Sequence, residues 1–315
     1  MDESDLQLYH LLILDPRLPY RELAERLGIS LQAVHKRIRS LYDAGILVGT
    51  GASIPDTYLN ATGVFIFGRM NDRWLKDVIE RLAKNDRVGY VMLCAANILY
   101  VSGTLQRSAE METFHSFVRD VCGMKDSTMA IESLGKVGEV LPAKAPAPDA
   151  ELTPLDLRII SSLRKDARKS YADVGEEVGV TARTVRMRLD RMLEEGSIAL
   201  TLKVNPNNSK TMSSVTHLYT ASGVDRNALG IELMHRYPAN VLFFRSYCNI
   251  PDMISLAGNH PTMTSFNSML EALYGDPRIT KVVPNVVITA WAFDTWKDNM
   301  LPSLKKRIRN GPDTA

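Results

Sequence analysis

The sequence predicts an α+β protein in which one plan of helices and strands occurs twice. Three observations lead to this prediction. A segment of the first half recurs in the second at a constant spacing, each copy has the apolar periodicity of short amphipathic helices, and strand-like runs alternating with helical ones follow each copy. A chain of 315 residues is long enough for two or more domains with separate cores.

The repeat has a spacing of 151 positions, at which Asp15 recurs as Asp166. Further identical pairs at this spacing are Arg17 and Arg168, Tyr20 and Tyr171, Gly28 and Gly179, Val34 and Val185, Arg37 and Arg188, and Gly45 and Gly196. Between them apolar residues match apolar residues, and no gap interrupts the register. This agreement indicates duplication, so we expect the two halves to share one fold.

Each copy begins with three predicted helices, which in the first copy lie in residues 4–15, 18–29 and 29–47. On a helical wheel the apolar residues of the third helix share one face; they are Val34, Ile38 and Leu41, with Leu31 beside them. A Gly-containing turn and a Ser N-cap join the second helix to the third. This is the arrangement of a helix-turn-helix module.

The polar face of the third helix differs between the copies. In the first copy the outward residues are Gln32, Ala33, His35, Lys36 and Arg39, after the N-cap Ser30. In the second they are Arg183, Thr184, Arg186, Met187 and Arg191, after the N-cap Thr181. Both faces offer the hydrogen-bond donors that a nucleic acid accepts. Arg37 and Arg188 lie at the edge of the apolar face, where the position favours a structural ion pair over a contact with a base, although both interpretations stay open.

A βαββαβ order follows each set of helices. In the first half the predicted elements span residues 63–70, 72–85, 89–95, 97–105, 108–122 and 126–134. In the second half they span residues 214–222, 226–238, 240–248, 252–258, 261–275 and 279–293. This is the order of a ferredoxin-like unit, whose helices leave one face of its sheet free to pack on something else.

The runs ELAERLGIS (22–30) and RIRSLYDAGIL (37–47) resemble the N-terminal domain of the leucine-responsive, or Lrp/AsnC, family of transcription regulators. The βαββαβ unit is similar to the effector and oligomerisation domain of that family, called the RAM domain. The resemblance covers nearly the whole chain, twice over. It implies winged helix-turn-helix modules at 1–56 and 152–206, RAM-like ferredoxin-fold domains at 57–140 and 207–315, and a Pro/Ala-rich linker at 141–151.

The resemblance also implies a sequence-specific regulator that binds double-stranded DNA through the N-caps and outward residues named above. Glutamine favours adenine edges and arginine favours guanine, so the half-sites read by Gln32 and Arg183 need not be identical. We therefore expect one chain to act as a covalent pseudo-dimer that reads two half-sites. We also expect a homodimer or a higher even oligomer, with RAM-like units pairing within or between chains.

A small-molecule effector, such as an amino acid, is implied by the same resemblance. In Lrp-type RAM domains a Gly-x-x-Asp segment opens the strand beside the amino-acid pocket. The second copy has Asn249 in place of Gly and retains Asp252, whereas the first copy has Cys94 and Asn97 at these places. The candidate effector-binding residues are therefore Asn97, Asn249 and Asp252. The alternative that Asp252 caps its loop stays open.

Two other functions compete with a regulator. Sirohaem decarboxylases share this architecture, and the segments at 49–54 and 97–103 are faintly similar to theirs. Their chemistry uses a stretch rich in His and Arg, where this chain has VGYVMLCAA at 88–96, and the six histidines have no metal-ligand spacing. We therefore expect a non-enzyme without cofactor or metal. The second competitor is an interaction protein whose modules have lost DNA binding.

Composition bounds these functions only broadly. The chain has 23% charged residues and a net charge of +2, so any basic surface must come from local clustering. Its three cysteines form no CxxC pair, and no window has the length and hydropathy of a membrane span or a signal peptide. We expect a cytoplasmic protein with reduced thiols and no membrane partner.

Overall fold

The computed structural model describes residues 1–71, 74–133, 147, 150–209 and 211–300. Most of the predicted linker at 141–151 and the end of the second RAM-like domain lie outside the described residues. Within them the α+β fold predicted from the sequence is confirmed.

The first helical module contains α1 (Glu3–Leu14), α2 (Tyr20–Leu27) and α3 (Leu31–Asp43), followed by strand β1 (Leu47–Ser53). Asp2 and Asp5 form a capping box at the start of α1, and Gly28, at φ 63°, ends α2 in the left-handed conformation that glycine favours. Val34, Ile38 and Leu41 are buried as predicted, but Leu31 is 41% exposed.

The first ferredoxin-like unit follows. Its elements are β2 (Thr62–Arg69), α4 (Leu75–Leu82), β3 (Val88–Cys94), β4 (Ile98–Leu105), α5 (Met111–Cys122) and β5 (Ser127–Ile131). The predicted order is confirmed, and the bounds are shorter than predicted at most ends. The start of α5 moves to Met111 because residues Ser108–Glu110 form a separate 3₁₀ turn.

The second half repeats both parts. Its helical module contains α6 (Pro154–Leu163), α7 (Tyr171–Val178), α8 (Ala182–Glu194) and β6 (Ala199–Val204). Its ferredoxin-like unit contains β7 (Met212–Thr220), α9 (Arg226–Arg236), β8 (Val241–Ser246), β9 (Met253–His260), α10 (Met263–Tyr274) and β10 (Ile279–Ala292).

The strands of the two ferredoxin-like units form one eight-stranded sheet in the order β5-β2-β4-β3-β10-β7-β9-β8. The long strand β10 joins them, because it pairs with β7 up to Val287 and with β3 from Val287 to Ala292. The two outer strands also meet, through a bridge between Glu132 and Tyr247 and a backbone hydrogen bond of 2.9 Å from Cys248 to Ile131. The sheet therefore closes into a ring, in which the two units pair within one chain.

The ring has an outer face covered by helices and an inner face that encloses side chains of both halves. Two separate cores lie on the outer face, one under α4 and α5 and one under α9 and α10. The inner face buries the sheet surface that the sequence left unpartnered, with small mixed clusters such as Phe65, Ala130, Tyr247 and Met253. No described helix has the length and hydropathy needed to cross a membrane.

Candidate nucleic-acid interface

The third helix of each module presents its polar face to solvent. Ser30 Oγ accepts a hydrogen bond of 3.1 Å from the amide of Ala33, and Thr181 Oγ1 accepts one of the same length from Thr184. These N-caps fix the starts of α3 and α8, as their residue types predict. The helices are then held by the buried apolar residues on their inner sides, Val34, Ile38 and Leu41 in α3 and Val185, Leu189 and Met192 in α8.

Most of the predicted reading residues lie on these open faces. Those that are exposed are Ser30, Gln32, His35, Lys36, Arg39, Thr181, Arg183, Arg186 and Met187, whereas Ala33 and Thr184 are half-buried. Met187 is 62% exposed, which is unusual for so apolar a side chain. Gln32, Lys36 and Arg183 form no hydrogen bond or ion pair with any described residue, so their polar ends are available to a ligand.

Two of the exposed arginines are held only weakly. Arg39 lies 3.8 Å from Asp43, and Arg186 lies 3.6 Å from Asp190, each one helical turn away on the surface. Exposed pairs at this spacing contribute about 0.3–0.5 kcal/mol. A phosphate can therefore displace either carboxylate at small cost.

His35 and Thr184 are less free than their neighbours. The imidazole of His35 makes an edge contact with the ring of Tyr20, with the ring centroids 4.7 Å apart. The hydroxyl of Thr184 lies 2.9 Å from that of Thr181. These contacts fix the direction of both side chains before any ligand arrives.

Arg37 and Arg188 belong to the modules' own structure. Arg37 contacts Asp2 at 2.8 Å and Asp5 at 2.7 Å, and its hydrogen bond to Asp2 helps lower the pKa of that carboxyl against the opposing effect of burial. Arg188 contacts the fully buried Asp156 at 3.3 Å. The predicted structural ion pairs are confirmed at both positions.

Arg191 differs from its prediction. The sequence groups it with the outward residues of α8, but its Nη2 lies 2.6 Å from Oδ2 of Asp156, whose side chain is 0% exposed. A carboxylate without solvent requires cations close by, and α8 supplies both Arg188 and Arg191 from one side. Arg191 therefore stabilises the junction of α6 and α8.

The two helical modules contact each other directly. Strands β1 and β6 pair antiparallel, with Gly51 opposite Thr201. Arg168 donates hydrogen bonds to the carbonyls of Pro16, at 2.5 Å, and Leu18, at 3.2 Å. Arg17 donates to the carbonyls of Ala167 and, at 3.1 Å, Lys169.

Two tyrosines complete this contact. The Arg17 guanidinium lies 4.5 Å from the ring centroid of Tyr171, and that of Arg168 lies 4.6 Å from the ring centroid of Tyr20. Each module thus places its arginine on the other module's tyrosine, an arrangement that a two-fold axis would generate. Sequence reasoning assigned these residues no role, although their identity at the spacing of 151 was the available signal.

The structure places the candidate effector residues in turns. Asn97 lies before β4 and Asp252 before β9, at corresponding positions of the two units. The Asn249 side chain accepts a hydrogen bond of 2.8 Å from the amide of Ile131 and donates one of 2.7 Å to the carbonyl of Met129. Both polar ends of this amide bond to the backbone of β5. Asn249 therefore joins the two units where the outer strands of the sheet meet.

Comparisons with known proteins agree with this geometry. Residues 1–48 match the model of the winged helix-turn-helix DNA-binding family, and residues 152–193 match that of the AsnC-type helix-turn-helix domain. The chain is similar to the HTH-type transcriptional regulator LrpA of Pyrococcus horikoshii, with 31% identity over 111 residues, which are 35% of this chain and 79% of LrpA. An HTH-type transcriptional regulator of Mycobacterium tuberculosis is 32% identical over 109 residues, which are 32% of this chain and 61% of that protein. Both relatives are named as regulators and not as enzymes, in agreement with the prediction of a non-enzyme.

A solved structure matches both halves together. The siroheme decarboxylase NirDL has a TM-score of 0.54 and 13% identity, and the match covers 97% of this chain and 100% of that one. At this identity the likeness shows a common fold alone. It places the tandem architecture, with both helical modules and both ferredoxin-like units in one chain, among folds already observed.

Proposed function

The chain belongs to the Lrp/AsnC family of helix-turn-helix transcriptional regulators, and we propose that it acts as a covalent pseudo-dimer that reads two half-sites of double-stranded DNA. Dimeric helix-turn-helix proteins place one recognition helix per half-site in the major groove. Here α3 and α8 take these two roles, and one chain supplies both.

The reciprocal contact of Arg17 and Arg168 with the other module's tyrosine carries this proposal. A fixed distance between recognition helices is what selects a fixed spacing of half-sites. The β1–β6 pairing adds six residue pairs to the same junction. In a protein of separate chains such a junction would form on dimerisation, whereas here folding alone brings the modules together.

The two half-sites differ because the reading faces differ. In α3 the second and sixth helical positions are Gln32 and Lys36, and the equivalent residues of α8 are Arg183 and Met187. Glutamine pairs with adenine and arginine with guanine in the major groove, and methionine offers only apolar contact. The operator is therefore an imperfect palindrome or a direct pair of unlike halves.

Binding to the upstream DNA of its own gene, measured by gel shift across a salt series, tests the proposal. We expect a specific complex whose affinity falls steeply with salt, because phosphate contacts release counterions. The double variant Arg183→Ala/Arg186→Ala should weaken it severalfold or more. The double variant Arg81→Ala/Lys84→Ala removes the same charge from exposed positions of the first ferredoxin-like unit and should leave affinity nearly unchanged.

Three outcomes of this experiment contradict the proposal. Equal loss in both double variants would indicate attraction by charge alone. Unchanged affinity after Arg183→Ala/Arg186→Ala would remove α8 as a reader. Absence of any salt-dependent complex would favour an interaction protein.

The fold shared with NirDL makes a spectral titration with sirohaem a useful second measurement. No shift is expected, since the strand β3 region that corresponds to the His- and Arg-rich stretch of that family carries neither residue from Val88 to Ala96. Two further proposals follow from the family resemblance. They are assembly into a homodimer or a higher even oligomer, and an amino-acid effector that binds near Asn97 and Asp252. Light scattering and calorimetry with amino acids test them.

A further inference from the structure

The duplication created two clefts that have since diverged. The first lies where α1 and the β1–β6 ribbon meet the ring, and the second where the residues after α6 and the same ribbon meet it. The first, here called the apolar cavity, has a volume of about 350 Å³, and its wall includes Tyr9, Ile13, Leu202, Phe65, Tyr90 and Phe243. The second, here called the polar cleft, has a volume of about 690 Å³ and is lined by Arg164, Lys165, Lys203, Asp294, Lys297 and Asp298, among others.

Matched positions show that the two clefts are copies. Ile13 lines the apolar cavity, and Arg164, which is 151 positions later, lines the polar cleft. Gly258 lines the first and its counterpart Gly103 the second. The two copies therefore differ in charge, and an open cavity with apolar walls is the kind of site that binds a ligand.

Two phenol groups supply polar contacts inside the apolar cavity. Tyr9 is 6% exposed, and neither its hydroxyl nor that of Tyr90 has a hydrogen-bond partner among the described residues. Burial raises the pKa of Tyr90 to about 12 and that of Tyr9 further, so both remain protonated donors at neutral pH. Donors left without acceptors in an apolar site favour a ligand that brings acceptors.

The charge of the cavity is balanced before any ligand enters. Its one arginine, Arg245, contacts Glu132 at 2.6 Å through Nε. The guanidinium lies 4.5 Å from the ring centroid of Phe65 and 4.7 Å from that of Phe243. A carboxylate on the ligand would have to compete with Glu132, whereas a flat uncharged ring can extend this aromatic wall.

We propose that the apolar cavity binds an uncharged, planar molecule of the size of two fused aromatic rings, whose oxygen or nitrogen acceptors take hydrogen bonds from Tyr9 and Tyr90. Pockets of a few hundred Å³ with apolar walls and a few polar groups are typical of such ligands. Neither Asn97 nor Asp252 lines this cavity, so it is distinct from the effector position implied by the family.

Occupancy of this cavity acts mainly on the helices of the first module. Tyr9 and Ile13 belong to α1, which packs against α2 and α3 in one core together with Leu242 of the ring. A ligand that fills the space between α1 and the ring stiffens this junction. The second module lines the cavity through Leu202 and Val204 of β6, whereas none of its helices α6, α7 and α8 does, so those helices receive no such support.

Equilibrium binding of three probes to the full chain without DNA tests the proposal. Coumarin and quinoline are uncharged bicycles that carry an oxygen or a nitrogen acceptor, and coumarin-3-carboxylate is the charged comparison. We expect saturable binding of coumarin at one molecule per chain, weaker binding of the carboxylate, and slower hydrogen exchange of the α1 amides in the complex.

Three variants assign the binding to this cavity. Tyr90→Phe keeps the ring and removes the donor, and should weaken coumarin by about fivefold. Ala257→Phe fills the cavity and should abolish binding, while Thr201→Phe places the same ring beside the polar cleft and should leave it unchanged. Thermal melts establish that each variant is folded.

Three results would each overturn the proposal. They are the absence of binding by both uncharged bicycles, tighter binding of coumarin-3-carboxylate than of coumarin, and equal affinity of the wild type and Tyr90→Phe for coumarin. Because no DNA is present, these outcomes are independent of whether the chain reads two half-sites. A loss of DNA binding with probe binding intact would contradict only the proposed function.

Discussion

The hydroxyl of Tyr100 lies 2.7 Å from Nε2 of His217, and this contact joins the two halves of the chain at the centre of the ring. The other ring nitrogen of His217 lies 2.6 Å from Oγ of Ser255. In the first unit Phe67 faces Tyr100 across the strands, as His217 faces Ser255 in the second. The inner faces are thus complementary and not identical, which favours pairing of unlike units within one chain.

Burial of His217 predicts a loss of stability in mild acid. The imidazole is 4% exposed, and burial lowers its pKa to about 4. Because the unfolded chain binds this proton at higher pH than the folded chain, the free energy of unfolding falls as pH drops from about 6.5 to 4, by up to about 3 kcal/mol for this residue. Urea denaturation at several pH values measures it.

The variant His217→Gln should flatten this dependence while lowering stability at neutral pH. His260, whose pKa burial also lowers to about 4, supplies a second part of the slope that remains in the variant. His35→Gln, at an exposed position of α3, is the matched control for the change of residue type. An identical slope in His217→Gln and the wild type would show that His217 does not titrate as its burial requires.

Removal of the Arg168 side chain should weaken the contact between the two helical modules. Arg168→Ala leaves the carbonyls of Pro16 and Leu18 without their donor and uncovers the ring of Tyr20. We expect a loss of about 1–2 kcal/mol in the free energy of unfolding and a weaker preference for one half-site spacing. Gel shifts with operators lengthened by half a helical turn measure the second effect.

Arg168→Lys is the informative comparison, since lysine keeps the charge but cannot lie flat on Tyr20 while bonding two carbonyls. Arg158→Ala, at an exposed position of α6, is the matched control. A spacing preference as sharp in Arg168→Ala as in the wild type would mean that β1 and β6 alone set the distance between the modules.

Substitution of Arg186 should affect mainly DNA affinity, whereas substitution of Arg191 should affect mainly stability. Arg191→Ala removes one of two cations from the buried Asp156 and is expected to lower the free energy of unfolding by about 1–3 kcal/mol with little effect on DNA affinity. Arg186→Ala should leave stability nearly unchanged and reduce the slope of log affinity against log salt by about 1. If Arg191→Ala instead weakens DNA binding in a fully folded protein, its original assignment to the reading face is correct.

Local sequence patterns predicted the helical modules well, but they did not predict the contacts between elements that are distant in the chain. Val34, Ile38 and Leu41 recur with the helical period, so their burial followed from the sequence. The ion pair of Arg191 with Asp156 could not be predicted in the same way. It depends on how α6 packs against α8, and the spacing of residues within α8 carries no information about that. Nor could the pairing of β10 with both β7 and β3 be predicted, since strand partners far apart in the chain leave no local signal.

Unequal half-sites should appear as unequal effects of substitutions at the second position of each recognition helix. Gln32 and Arg183 occupy this position in α3 and α8, and both are exposed without a partner among the described residues. Gln32→Ala is expected to relax base preference by about 1–3 kcal/mol in one half-site only, and Arg183→Ala in the other. Selection of binding sites from random DNA measures both preferences at once.

Because glutamine favours adenine and arginine favours guanine, the variant Gln32→Arg should change the base preference in the first half-site from adenine to guanine. A preference that shifts in both half-sites after a single substitution would show that α3 and α8 do not read separate halves.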